Sequence, residues 1–237
     1  TSVAYKRVIG GEETELGVLG TLLDSCLVMY DRGSNTSWTQ IGGDAIDGEL
    51  AGEKLNAIEM EHMTWGQWKE MHPDTWVLSK DTGGFMRGYD TNIYKLSKYT
   101  TNEEIHFPIR VNDTRLHPKG VVFGVKIDDK FKAYPREVVA EAGVINDKLG
   151  GKDIMVVYDL KTGLVRVFSR KIDGKVLSFE QTDGGVFDRE TGSRWNFEGE
   201  AISGENRGKR LEKLEALESY WFAWAAYHPA TDLFLVA

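Results

Sequence analysis

The sequence predicts a β-rich α+β fold of two related halves with pseudo-two-fold symmetry, in which antiparallel hairpins lead to a short Trp-anchored helix. Two observations predict this class. Turn-forming dipeptides separate runs in which apolar and polar residues alternate, as they do in β-hairpins. The string Trp-x-x-Trp-x-x-x-His-Pro-x-Thr occurs twice, beginning at Trp65 and at Trp221, which indicates that one arrangement is repeated.

The repeat defines the predicted organisation of the chain. A shift of 156 positions places residues 48–75 on residues 204–231 without a gap. Ten positions are then identical, two of them Trp, where background composition predicts about two identities in all. We therefore predict a first repeat half over residues 1–80, an ordered connecting segment with a hairpin and a helix over 81–155, and a second repeat half over 156–237.

A hairpin is the first predicted element of each half. Gly10-Gly11 separates "SVAYKRVI" from "EETELGVL", and Asp173-Gly174 separates "LVRVFSRKI" from "KVLSFEQ". Such dipeptides accept the positive φ angles of a two-residue hairpin loop. Further along the second half, "GEAISGENRGKRLEKLEAL" has sparse apolar positions and predicts short strands or irregular ribbon rather than a helix.

The repeated string predicts a helix of two or three turns at the end of each half. Its two Trp and its His fall at positions i, i+3 and i+7, which share one helix face. Thr64 and Gln67 form a predicted capping box, and Ser219 is the predicted cap of the second helix. Pro73 and Pro229 are expected to end the helices. A strand such as "TWVLS" or "DLFLVA" is expected to follow each one.

The Trp pair has a simple structural interpretation. Two buried Trp side chains stabilise a packed helix by on the order of several kcal/mol, so each pair is predicted to anchor its helix on the sheet of its own half. His72 and His228 are then expected to cap helix carbonyls. A catalytic or ligand role for these His residues is the alternative.

The connecting segment is predicted to be ordered. "VVFGVKIDDKFKAYP" reads as a hairpin that turns at Asp128-Asp129, and "REVVAEAGVINDKLGG" as a helix that ends near Gly150-Gly151. "KDIMVVYD" is a β-branched apolar run typical of a buried strand.

Composition excludes several classes of function. The chain has 237 residues, 41% of them hydrophobic, and a net charge of −8, so it is expected to be a soluble globular protein without a nucleic-acid partner. No apolar run approaches the ~20 residues of a transmembrane segment. The single cysteine, Cys26, permits neither an internal disulfide nor a Cys-x-x-Cys site within the chain.

Few local motifs suggest a reaction. Glu59, Glu61 and His62 are weighed as metal ligands, but strand alternation would put the two Glu on one face and His62 on the other, which favours a solvated edge. The sequence contains no zinc-site spacing, no Gly-rich phosphate loop and no Gly-x-Ser-x-Gly elbow.

The longer strings carry a family resemblance. "LVMYDRGSNTSWTQIGG", "MTWGQWKEMHPDTWVLSKDTG" and "NDKLGGKDIMVVYD" resemble the domain of unknown function 3179 family, over essentially the whole chain. The resemblance implies a bacterial or archaeal protein, often exported, with no assigned activity, and we expect a periplasmic or cell-surface location. Members usually carry a Cys-Pro-x-Cys-type motif, sometimes with selenocysteine, and the opening "TSVAYKRV" resembles the residues that follow it. The resemblance therefore places a thiol or selenol pair just upstream of Thr1.

The resemblance also selects candidate site residues. Asp159 and Thr162 stand where the second half would carry the two cysteines, so that half is expected to be a degenerate copy. In the first half the candidates for a catalytic site are Tyr30, Asp31, Arg32, Ser37, Trp38 and Gln40, and the candidates for metal binding are Cys26 and His72. The alternative for Asp31-Arg32 is a turn-stabilising Asp and an ion-pairing Arg, because the pair recurs as Asp188-Arg189. Burial as a small hydrophobic residue is the alternative for Cys26.

Three functions follow from these observations. The first is an extracytoplasmic domain with redox- or metal-linked chemistry, whose cofactor the sequence does not specify. The second is a non-enzymatic binding or assembly module on the cell surface, with a homo-oligomer or a surface protein as partner. The third, a carbohydrate-active hydrolase, would require a Trp-lined cleft with two carboxylates about 5–10 Å apart.

Overall fold

The computed structural model describes residues 2–79, 81, 83, 88 and 98–235. Over these residues the protein is β-rich α+β, as predicted, and almost all of its strand pairs are antiparallel. The three helices of the described part are short: α1 Trp65–Met71, α2 Arg136–Ala142 and α3 Trp221–Tyr227. No helix among them has the length and apolar character needed to cross a membrane.

Two of the sheets are four-stranded meanders, one in each predicted half. The first consists of β4 Leu16–Leu23, β5 Cys26–Asp31, β6 Ser37–Thr39 and β7 Ala45–Asp47. The second consists of β16 Phe179–Thr182, β17 Gly185–Asp188, β18 Arg194–Trp195 and β19 Ala201–Ser203. In both, the register shifts at the Trp of the third strand.

Two further four-stranded sheets join the connecting segment to the second half. One has the order β11 Val144–Leu149, β12 Lys152–Tyr158, β13 Val165–Ser169 and β20 Lys213–Leu214. The other has the order β21 Ala216–Tyr220, β9 Val121–Ile127, β10 Lys130–Pro135 and β22 Asp232–Leu233, with β10 and β22 parallel. The predicted boundary between residues 155 and 156 falls inside β12.

The remaining strands form three two-stranded ladders. Their members are β1 Ala4–Tyr5 with β8 Ala57–Ile58, β2 Val8–Ile9 with β3 Glu12–Glu13, and β14 Lys171–Ile172 with β15 Lys175–Val176. The last two ladders enclose the predicted turns. Asp173 has φ 47° and Gly174 φ 80°, and Gly10 and Gly11 also have positive φ, which is the geometry of a tight two-residue hairpin loop.

The connecting segment follows the prediction only in part. Its hairpin turns between β9 and β10, and the predicted buried strand is β12. The predicted helix is about half as long as expected, since α2 ends at Gly143, whose φ of 68° stops helical geometry. The chain then continues as β11 and reverses at Gly150-Gly151, both with positive φ, into β12.

The two meanders share a buried polar contact. In the first, the indole N–H of Trp38 donates to the carboxylate of Asp31 over 3.0 Å, and in the second that of Trp195 donates to Asp188 over 2.8 Å. The four side chains are at most 2% exposed. The Asp of the repeated Asp-Arg strings therefore accepts hydrogen bonds from a turn and from a buried indole in each sheet.

The two tryptophan helices have the same internal geometry. In α1 the indole N–H of Trp68 donates to Thr75 over 3.0 Å, and in α3 that of Trp224 donates to Thr231 over 2.9 Å. Each helix ends at a His whose backbone N–H bonds the carbonyl of the second Trp at 2.8 Å.

The surroundings of the two helices differ, which corrects the prediction that each packs on the sheet of its own half. Helix α3 buries six of its seven residues, and it packs on β9 and β21 rather than on the second meander. Helix α1 has no buried residue. Trp65 is 48% exposed, whereas Trp221 is fully buried.

The helix ends also differ. Thr64 and Gln67 form the predicted capping box of α1. The prediction for the second helix is wrong: Ser219 lies in β21, and the first turn of α3 begins after Tyr220 without a side-chain cap. Strand β21 pairs with β9 up to Tyr220, the residue directly before α3. The start of this helix is therefore set by strand pairing and not by a side-chain cap.

Candidate functional site

A cavity of about 530 Å³ lies where the two halves meet. Residues 2–6 and 54–62 of the first half form one side, and residues 164–167 and 213–218 of the second half form the other. Strand β9 and helix α3 contribute the remaining wall. Both halves contribute residues to this concave feature, and it is the candidate functional site.

The wall formed by β9 and α3 is largely apolar. Trp224 packs directly over Gly124, where any Cβ would overlap the indole ring. His228 lies beside Trp224, with ring centroids 4.3 Å apart, and stacks on Phe131 at 4.1 Å. Burial lowers the pKa of His228 to about 4, and nearby lysines act in the same direction, so its imidazole is neutral at pH 7.

A charged network crosses the cavity between the halves. Arg166 on β13 is buried, and its guanidinium lies 2.7 Å from Glu61 and 3.0 Å from Glu198. The ammonium of Lys213 on β20 contacts Glu59 and lies 3.4 Å from Glu61. Glu59 and Glu61 thus share Lys213 as a partner, but they lie beyond the end of β8 and not in a strand, and His62 lines the same cavity, so the alternation expected from the sequence does not apply here. The network joins the first half to the second by charge-assisted hydrogen bonds.

A second charged group includes two further residues that line the cavity, Glu218 and His62. Glu218 on β21 accepts from Arg136 at 2.7 Å and lies 3.3 Å from the Nδ1 atom of His62. Glu218 is largely buried, whereas the His62 side chain is 57% exposed. His62 is therefore open to solvent at the rim of the cavity.

Hydroxyl groups connect the first meander to its surroundings, and one of them, that of Tyr5, belongs to a residue that lines the cavity. Tyr5 donates to the backbone carbonyl of Gln40 over 2.7 Å, and burial raises the pKa of its phenol. The hydroxyl of Tyr227 contacts the carboxylate of Asp44 and lies 3.0 Å from the hydroxyl of Thr39. These contacts tie the first meander to α3.

Asp31 and Trp38, two of the predicted catalytic residues, lie in the core of the first meander rather than in the cavity. Burial opposes ionisation of Asp31, but hydrogen bonds from Ser34, Trp38 and Thr36 outweigh it and lower the pKa of this carboxyl. Asp31 therefore remains a carboxylate whose acceptor sites are filled by its own turn. These contacts give Asp31 a structural role, in which it stabilises the turn and the position of the Trp38 indole.

The other predicted catalytic residues lie around the same sheet. Gln40 accepts the backbone N–H of Leu27 on its Oε1 atom at 3.0 Å. The Arg32 guanidinium lies 5.4 Å from the ring centre of Tyr30 and 3.6 Å from Glu15, and it is largely exposed. Ser37, on β6, pairs with both neighbouring strands. The described lining of the cavity includes none of these six residues.

The predicted metal ligands, Cys26 and His72, are not brought together. Cys26 packs in an apolar cluster with Ile41, Phe222 and Ala223, while His72 is exposed and lies over Trp68. Within the described ranges, no three His, Cys, Asp or Glu side chains are arranged to hold a metal ion.

We expect Cys26 to react slowly with alkylating reagents. Burial raises the pKa of its thiol to about 11, so at pH 7.5 it is thiolate roughly 300-fold less often than an ordinary cysteine, whose pKa is about 8.5. Iodoacetamide labelling followed by mass spectrometry of the native protein measures the rate. Labelling in urea, where the thiol is free, is the control, and equal rates in both conditions would contradict the buried environment.

The family model described as "Protein of unknown function (DUF3179)" matches residues 1–231, nearly the whole chain. The chain belongs to the DUF3179 family. No curated protein and no solved structure matches it significantly. In this DUF3179 chain the positions that the resemblance aligned with a dithiol form a turn, in which Thr162 donates to Asp159 over 2.7 Å.

Only some of the residues that line the cavity of this DUF3179 protein could be singled out from its sequence. Glu59, Glu61 and His62 were weighed there, but as metal ligands or a solvated edge. Their partners carried no local signal, because Arg166 lies 105 positions from Glu61 and Lys213 lies 152 positions away. A cue did exist in retrospect: Arg166 interrupts an apolar strand, and a buried Arg requires anionic partners.

Proposed function

We propose that this protein is a non-enzymatic binding module that takes a small organic molecule in the cavity between its halves. The observation that carries the proposal is a concave site with charges of both signs on one side and aromatic and aliphatic surface on another. Such a combination suits a ligand with ammonium and carboxylate groups and an apolar portion, such as an amino acid or a short peptide.

The charged residues of the site support binding more than chemistry. Glu61 forms ion pairs with Arg166 and Lys213, and His228 is neutral, stacked on Phe131 and in contact with Trp224. A prearranged network of this kind can exchange one of its internal partners for a ligand group at little ordering cost. The same arrangement offers no nucleophile with an adjacent base among the described residues that line the cavity.

A thermal-shift experiment with free amino acids and dipeptides tests the proposal. A ligand present at 100 times its Kd stabilises the folded state by about 2.7 kcal/mol, which raises the melting temperature by several degrees. We expect at least one probe to do so.

The variant Ala57→Trp fills the cavity, since Ala57 lines it from β8 and its side chain is exposed. It should abolish the shift, whereas Ala51→Trp, in an exposed turn outside the cavity, should retain it. A shift that survives unchanged in Ala57→Trp would place binding elsewhere, and the absence of any shift in the unaltered protein would count against the function.

A redox- or metal-linked role outside the cytoplasm is the second candidate. The observation that favours it is that residues 2–6 line the cavity, so a thiol or selenol pair immediately before Thr1 would lie at the same site. The gene sequence tests this directly: Cys-x-x-Cys codons or an in-frame UGA just upstream of the Thr1 codon support the role, and their absence excludes it for this protein.

We also propose that the two halves arose by duplication and are related by an approximate two-fold rotation. The identical order of the two meanders, their matching Asp–Trp contacts and the matching Trp–Thr contacts of α1 and α3 support this. An experimental structure tests it through the rotation that superposes residues 4–58 on residues 167–214.

A further inference from the structure

One continuous segment covers the second half. This segment, Val121–Tyr158, runs β9, β10, α2, β11 and β12, and we name it the ββαββ unit. It contacts the second half in four places: β12 pairs with β13, β9 pairs with β21, β9 packs under α3, and β10 pairs with β22.

The corresponding surfaces of the first half are open. Ala4 pairs with Ile58 as Val167 pairs with Leu214, so residues 2–6 correspond to residues 165–169. Within the described residues, β1 pairs with β8 alone, whereas β13 pairs with both β20 and β12. Residues 60–64 correspond to β21 but form no strand. Trp76 and Val77 correspond to β22 and are 99% and 68% exposed. Helix α1, which corresponds to α3, has no buried residue.

We propose that the first half binds a ββαββ unit of the same kind as Val121–Tyr158, supplied by polypeptide outside these 237 residues. All four open surfaces are of the type that a single such unit covers in the second half, so one occupant accounts for all of them. Its first strand would pair with residues 60–64, and its last strand would pair with residues 2–6.

The geometry of α1 specifies the occupant further. The Trp68–Thr75 hydrogen bond and the tilted contact of His72 with Trp68, with ring centroids 4.1 Å apart, already resemble their α3 counterparts, so the helix is preformed for the contact. The occupant needs a glycine against Trp68, because any Cβ at Gly124 would overlap Trp224. It also needs an aromatic ring over His72, as Phe131 lies over His228.

Charge is compatible with this occupant. Val121–Tyr158 carries as many basic as acidic side chains, so a unit like it would meet little repulsion from a chain of net charge −8. A second whole copy of the chain would bring its own −8, and its ββαββ unit is already engaged with its own second half.

The test extends the full chain at its N-terminus with a copy of its own residues 113–163, joined directly to Thr1. Because Ala4 corresponds to Val167, Thr1 corresponds to Leu164, the residue that follows 163. The junction therefore keeps the same number of residues between the added last strand and β1 as lie between β12 and β13. Hydroxyl-radical footprinting with mass spectrometry then measures side-chain exposure. We expect oxidation of Trp65, Met71 and Trp76 to slow at least threefold relative to the unextended chain.

The matched control carries Trp in the added copy at the position that corresponds to Gly124. This change blocks the approach to Trp68 and leaves the original 237 residues intact, so oxidation should return to the unextended rate. The proposal is overturned if the extension does not slow oxidation of the three side chains, or if the Gly-to-Trp copy slows it equally. It is also overturned if Trp65 is already as protected as Trp221 in the unextended chain.

Discussion

Replacing Asp188 by alanine should lower the free energy of unfolding by about 3–4 kcal/mol. Asp188 is 1% exposed and accepts hydrogen bonds from Trp195 at 2.8 Å, from the Thr191 backbone N–H at 2.7 Å and from Asn206 at 3.4 Å. Alanine leaves these buried donors without an acceptor, and each stranded donor costs about 1–3 kcal/mol. Urea unfolding of Asp188→Ala at pH 7 measures the loss.

The same carboxylate makes stability depend on pH. Burial opposes its ionisation, but hydrogen bonds from Trp195, Thr191 and Asn206 outweigh this and lower the pKa of Asp188 in the folded state. A lowered folded pKa contributes stability above the unfolded value of about 3.9, and that contribution is lost as pH falls through the folded pKa. The unaltered protein should therefore lose stability below about pH 4.

Two variants separate this effect from general damage. Asp188→Asn keeps the shape and one acceptor, so it should lose less stability than Asp188→Ala and remove this residue's share of the acid dependence. Asp183→Ala changes an exposed Asp in the turn of the same meander and should cost less than about 0.5 kcal/mol. A loss below about 1 kcal/mol for Asp188→Ala would contradict the assigned role.

Replacing Arg166 by alanine should cost about 3 kcal/mol. The side chain is 4% exposed and connects Glu61 of the first half to Glu198 of the second. Its removal leaves Glu61 largely buried with Lys213 as its remaining partner, and breaking a buried pair typically costs about 3–5 kcal/mol. Lys213 reduces the penalty here, so the lower end of that range is expected.

A double-mutant cycle isolates the contact. Arg166→Ala, Glu61→Ala and the double variant should give a coupling energy of about 1.5–3 kcal/mol that changes little with salt, because the pair is shielded from solvent. The exposed pair Lys152–Glu212, at 3.0 Å, serves as the matched control and should couple by less than about 1 kcal/mol. Equal coupling in the two pairs would show that Arg166 does not hold the halves together.

Local patterns predicted the elements that depend on local geometry. The loops at Gly10-Gly11 and Asp173-Gly174 require positive φ, and the capping box of Thr64 and Gln67 uses residues three positions apart. Helix α2 was overestimated because an apolar, charged run such as "REVVAEAGVINDKLGG" fits helix and strand periods alike, and only the positive φ of Gly143 divides it.

The burial of α3 and the charged cavity depend on contacts between residues far apart in the chain, so local patterns did not predict them. The repeated Trp strings are near-identical locally, yet α3 is buried because β9 lies against it, and α1 has no such neighbour among the described residues. The charged cavity has the same origin. Arg166 and Glu61 meet only because β13 and the stretch after β8 converge in the fold, so no spacing rule along the chain could pair them.

Two halves with similar local structure differ in what packs on them: among the described residues, the ββαββ unit covers the second half and leaves the corresponding surfaces of the first half exposed. Hydrogen–deuterium exchange of the 237-residue chain, read by mass spectrometry of its peptides, measures this most directly. We predict that amides of α3 exchange at least 100-fold more slowly than those of α1, despite the matching hydrogen bonds within the two helices. Amides of β21, which pair with β9, should likewise exchange more slowly than those of residues 60–64, which form no strand. Equal protection of α1 and α3 would show that the two helices are covered alike and would contradict the difference between the halves.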